Sequence, residues 1–143
     1  MYRIFALLII PVLCNPAIAS NQSYEQIWKE YAKERKMFLS CKSTKQVSNF
    51  LLKGMDLKGS AELEQAYNGT IGEAITEKPI CVLNALIVLP SETQKNVVNK
   101  YLVRPLFKDV GEIEKSLNKV WNDEKFSEIR VEFLRLKKLI YEK

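Results

Sequence analysis

The chain has no histidine. That absence removes the serine triad, the cysteine–histidine dyad, histidine-ligated zinc and the usual general base near neutral pH. Glycine is scarce and never clustered: Gly54, Gly59, Gly69, Gly72 and Gly111 stand apart, so no loop can cradle a phosphate. No segment sets acids at alternating positions around a glycine, as a calcium loop requires. Neither a cofactor nor a metal is therefore expected. The 22 Lys and Arg and 17 Asp and Glu are interspersed, giving a net charge of +5 with no basic block, so a nucleic-acid partner is not expected either. No charge-free apolar run approaches the ~20 residues of a membrane-spanning helix. Carboxylates and lysines remain as the chemistry open to an enzyme. Glu73 with Glu77, and Glu128 with Glu132, have the spacing of four that puts two acids on one helix face, as glycoside hydrolysis could use. Solvated helices commonly show the same spacing, so the chain reads as a non-enzyme with no catalytic residue.

The amino terminus has the three parts of a secretory signal. Arg3 is the charged region, Ile4 to Leu13 the apolar region, and Ala17-Ile18-Ala19 the small-residue cleavage site, with cleavage expected before Ser20. Cys14 would suit a lipoprotein, but Leu13 stands where a lipoprotein peptidase needs a small residue. Residues 1–19 are thus expected to be removed, leaving residues 20–143 as one exported domain in the periplasm. Arg3 leaves with the signal, which lowers the net charge by one.

Residues 79–90, Pro-Ile-Cys-Val-Leu-Asn-Ala-Leu-Ile-Val-Leu-Pro, are apolar between the prolines except for Asn84. This stretch is expected to be core. Its β-branched residues would permit a buried strand, but no partner strands are evident and Pro79 suits a first helical turn, which favours a helix. Cys81 lies inside it, and Cys41 is the other cysteine left after processing. In an oxidising compartment the simplest reading is one structural disulfide, Cys41–Cys81, with a pair of free or redox thiols as the alternative.

Elsewhere one grammar repeats: a capping residue, then apolar positions at helical spacing. Ser23-Tyr24-Glu25-Gln26 predicts the start of a helix bearing Tyr24, Ile27, Trp28, Tyr31, Phe38 and Leu39 and ending near Cys41. Ser43 predicts a second helix, closed by Gly54. Ser60 predicts a third, weakened by Gly69 and Gly72, where a kink or close packing is expected. Ser91-Glu92-Thr93-Gln94 predicts another, stopped or bent by Pro105, and Asp109 with Glu112 one more. The last begins near Asp123, with Phe126, Ile129, Phe133, Leu136 and Ile140 forming a seam that Val131, Leu134 and Leu139 widen. That seam covers the chain's own core or joins a homodimer through the C-terminal helix. The fold class is all-α: a compact single-domain bundle of about six to seven helices stapled by one disulfide.

The Ala17-Ile18-Ala19 signal end, the helix count and a bridge from the end of the first helix at Cys41 to a mid-chain apolar helix at Cys81 resemble a group of small exported bacterial helical proteins. These are the immunity proteins that neutralise type VI secreted cell-wall amidases and, more distantly, acid-stress chaperones. The first resemblance implies an inhibitor acting by protein–protein interaction, with a secreted cell-wall hydrolase as its partner. No functional residue carries over. Alternative readings are an acid-stress chaperone-like or structural envelope protein, and a carboxylate-dependent cell-wall hydrolase. The candidate partner-binding loop is Met55-Asp56-Leu57-Lys58, which places apolar residues between Gly54 and Gly59.

Overall fold

The computed structural model describes residues 16–57 and 59–142, with side chains from Ser23 onward. Most of the expected signal, including Cys14, lies outside these residues, as does Lys58. Within them the protein is all-α, with seven α-helices, no strand and the Cys41–Cys81 disulfide. The helices are α1 (Pro16–Ser40), α2 (Thr44–Met55), α3 (Ala61–Glu77), α4 (Pro79–Leu86), α5 (Ser91–Val97), α6 (Val110–Leu117) and α7 (Ser127–Tyr141). A π-helical segment, Val98–Val103, continues α5, and a 3-10 turn, Glu124–Phe126, leads into α7.

Two compact units divide the chain, Met1–Ala32 and Lys33–Lys143. In the first, α1 begins at Pro16 rather than at Ser23. No proline or glycine follows Pro16 before Ser40, so nothing forces Ser23 out of helical geometry, and a proline fits the first turn. Trp28 stacks edge-on with Tyr24 and Tyr31, at 6.1 and 5.5 Å between ring centroids. Tyr24 and Ile27 are exposed and Trp28 and Tyr31 only half-buried, whereas the sequence pattern placed all four on a core face.

The hub of the second unit is α3, which packs against α2, α4, α6 and the π segment. Tyr67, Ile71, Ala74 and Ile75 are fully buried along it. Gly69 and Gly72 lie inside an uninterrupted helix. They give it a small-residue flank: the Phe107 ring lies 3.7 Å from where a Gly69 β-carbon would sit, and Lys108 Cγ 3.3 Å from the same point at Gly72. On the α6 side, Ser116 Oγ donates to Thr76 O at 2.6 Å.

Some of the predicted caps form and others do not. Ser43 Oγ accepts from Gln46 N, and Asp109 Oδ1 accepts from Gly111 N at 2.7 Å, each satisfying an otherwise orphaned donor. Ser60 sits at the N-cap of α3 without a side-chain bond. Ser91 is already inside α5, because extended Pro90 holds the cap position, and Gln94 Nε2 instead donates to Leu89 O at 2.9 Å.

Residues 79–90 are helical through Leu86, and Val82, Leu83, Ala85, Leu86 and Leu89 are buried. Ile80 and Val88 are exposed, against the expectation that the whole run is core. A continuous apolar run wraps all round a helix, whereas neighbours cover only part of its circumference.

Gly54 does not end α2, which runs to Met55 and is capped by Asp56. Its role is close approach. A β-carbon there would collide with the Tyr101 hydroxyl and lie 3.1 Å from the Tyr67 ring. Gly54→Ala is therefore expected to cost about 1–3 kcal/mol through overpacking despite its better helix propensity. Gly69→Ala, meeting only ordinary van der Waals contact, should stabilise by about 0.5–1 kcal/mol. Urea unfolding of the two variants checks the opposite signs.

Candidate partner-binding surface

The loop at residues 104–109 is built by the elements on either side of it. In the π segment the turn is one residue wider than α, and Arg104 N donates to Asn99 O at 3.1 Å across that wide turn. The widening buries Tyr101, Leu102 and Val103 consecutively. Pro105 has no N–H to continue the ladder and disfavours helical geometry at Arg104, which leaves the helix at φ −120°, ψ 56°. Asp109 then starts α6 only four residues later. Leu106 and Phe107 lie between the two helix ends, where no inward face exists, and are 60% and 58% exposed. Arg104 and Lys108 flank them, exposed and without an ion pair among the described residues.

The base of this loop is anchored. Its first anchor is Tyr101, seated against Gly54; its second is Lys100, whose Nζ bonds Gly54 O at 3.1 Å and Glu64 Oε1 at 2.8 Å. The far side rests on Gly69 and Gly72 of α3. Among the described residues, the Tyr101 hydroxyl and Asn99 Oδ1, both in the π segment, are buried without a hydrogen-bond partner. Burial first, and the charge of Glu64 second, push the Tyr101 phenol far above the usual tyrosine value.

The candidate loop from the sequence has a different character. Met55 is the last residue of α2 and half-buried, Asp56 is exposed and Leu57 is half-buried, so its apolar side chains project less than Leu106 and Phe107. Ser60, just beyond it, and Gly69, under Phe107, lie roughly 14 Å apart along α3 at 1.5 Å per residue. The helical pattern on either side gives residues 104–109 no periodicity of their own. The available signal was an apolar pair between a helix-stopping proline and an Asp cap.

One carboxylate of each pair is engaged. Glu73 takes Arg35 at 3.1 Å, and Glu132 accepts both arms of Arg135 at 2.8 Å. That hydrogen bond holds Glu132 below the usual carboxylate range and raises Arg135. Glu114, hydrogen-bonded at 2.7 Å, likewise raises Lys137. Among the described residues no cluster of three or more acids and cysteines could hold a metal, and no helix is long and apolar enough to cross a membrane. The Cys41–Cys81 bridge, with its Cα atoms 5.9 Å apart, is consistent with an oxidising compartment. The chain matches no protein-family model, no curated protein and no solved structure.

Proposed function

We propose that this protein is a non-enzymatic periplasmic inhibitor that neutralises a secreted cell-wall hydrolase, of the type VI amidase kind, by covering its active site. One observation carries the reading: Leu106 and Phe107 form an exposed apolar tip on a loop held at both ends by packed helices. A preorganised loop binds with little ordering cost, and a pair of apolar side chains between Arg104 and Lys108 suits a cleft with an apolar floor and an acidic rim. A standard interface covers about 800 Å² per partner, so residues around this loop would share the contact. Signal cleavage before Ser20 would remove the first turn of α1 and make Ser23 its natural cap.

The test is capture on the processed, tagged protein from envelope and secreted extracts, followed by assay of any captured hydrolase on purified peptidoglycan. Stoichiometric capture of one hydrolase, inhibited by this protein, is the expected result. Leu106→Asp should weaken binding by at least about 30-fold, the hot-spot scale of about 2 kcal/mol, and leave stability within about 0.5 kcal/mol. Lysis of peptidoglycan by the protein itself, or capture of many weak clients only at acid pH, would overturn the inhibitor reading in favour of a hydrolase or a chaperone.

A further inference from the structure

We propose that the protein self-associates through an antiparallel contact between the outward faces of α7 in two copies. This is independent of the inhibitor reading and uses a different surface.

The inward face of α7 is occupied: Ile129 and Phe133 are buried, as is Phe126 just before it, and Leu136 and Ile140 are half-buried. Val131, Leu134 and Leu139, expected to widen that seam, lie instead on a second apolar stripe facing away from the core. Val131 is 65% exposed and Leu134 42%. Arg135 on this stripe is already neutralised by Glu132, so its alkyl stem adds apolar area. The exposed charges at the two ends of the stripe are Glu128 and Lys138, with Arg130 and Glu142 also exposed beside it, all four without an ion pair among the described residues. Glu128 and Lys138 stand about 15 Å apart along the helix axis.

That charge order commits the occupant and its direction. A second copy lying antiparallel sets Glu128 against Lys138 twice, whereas a parallel copy would set like against like. In this register the two Leu134 side chains meet near the two-fold axis, with Val131 beside them. The same register brings Leu139 of the second copy opposite Ser127, at the mouth of a cleft of about 290 Å³ between α5 and α7 whose floor includes Val98 and Ile129. The contact is isologous, as closed dimers are. A single helix pair falls short of the roughly 800 Å² per partner of a standard interface, so the association should be weak and salt-sensitive.

Sedimentation analysis of the processed protein, from about 1 to 300 µM at low salt, reads this directly, on the micromolar scale expected for so small an interface. The expected result is a reversible dimer. Glu128→Lys or Lys138→Glu alone should weaken it by about tenfold or more, and the double exchange should restore it, since the pairing is regenerated only in the antiparallel arrangement. Val131→Asp should abolish it. All these side chains are exposed, and circular dichroism checks that the fold is retained. A wild-type chain that stays monomeric throughout overturns the proposal. So does a dimer that all four variants leave unchanged, or one that the double exchange fails to restore.

Discussion

Replacing Cys41 and Cys81 together by serine should lower the unfolding free energy by about 4 kcal/mol, the chain-entropy value for a bridge between residues 40 apart in sequence. For a domain whose net stability is about 5–15 kcal/mol, this is a large fraction. The bridge ties the end of α1, where Cys41 turns the chain at φ 55°, to the first turn of α4. Urea unfolding would show the loss as a midpoint lower by roughly 2 M, taking a slope of about 2 kcal/mol/M. Reduction of the wild-type bridge should reproduce it. Other bonds also hold the same end of α1 in the folded state. Glu34 accepts from the Tyr67 hydroxyl at 2.7 Å and from Lys53 Nζ at 2.8 Å, Arg35 pairs with Glu73, and Lys78 Nζ donates to Leu39 O at 2.6 Å. A loss below about 1 kcal/mol would mean that the bridge barely restricts the unfolded chain.

Phe50→Ala is expected to cost about 3–5 kcal/mol. Phe50 is the middle of a three-ring stack, with Phe38 on one side and Tyr67 on the other, each 4.3 Å away between centroids and tilted by 20° and 24°. All three rings are at most 3% exposed. Removing the middle ring takes away its own buried area and both stacking partners, each pair worth about 0.5–1.5 kcal/mol beyond area burial. It also loosens Tyr67, whose hydroxyl anchors Glu34 on α1. Phe50→Leu keeps most of the volume and should lose clearly less, within about 2 kcal/mol. Equal losses for the two variants in denaturant unfolding would assign the effect to ring stacking rather than to the cavity.

The two losses are expected to couple. The ring stack and the disulfide both fasten α1 to the rest of the second unit, and neighbouring attachments of one element seldom contribute additively. The triple variant is therefore the sensitive probe of how α1 is held.

Much of the architecture was legible residue by residue. Ser43 and Asp109 cap the helices they were expected to cap, Pro105 stops the helix before it, and Phe126, Ile129 and Phe133 face inward at their three- and four-residue spacing. The readings that changed share a cause. Ser91 looked like a cap until Pro90 took that place. Gly54 looked like a helix end, yet its lack of a side chain serves the Tyr101 hydroxyl on another element. The 79–90 stretch reads as core throughout because its apolar residues are contiguous, yet Ile80 and Val88 are exposed. The hub is α3, whose glycines and threonines dilute its hydrophobicity while admitting neighbours closely.

Local chemistry in the sequence determined the all-α class and most helix boundaries, because capping and periodicity act within a few residues of the chain, while the side-chain inventory pointed to the bridge between Cys41 and Cys81 and excludes histidine-based catalysis. Only the tertiary structure decided which apolar residues stay outside. Leu106 and Phe107 are exposed because two helix ends meet around them, and Val131 and Leu134 because α7 is covered on one side alone. Burial depends on which surface a distant part of the chain reaches first, and no local pattern encodes that.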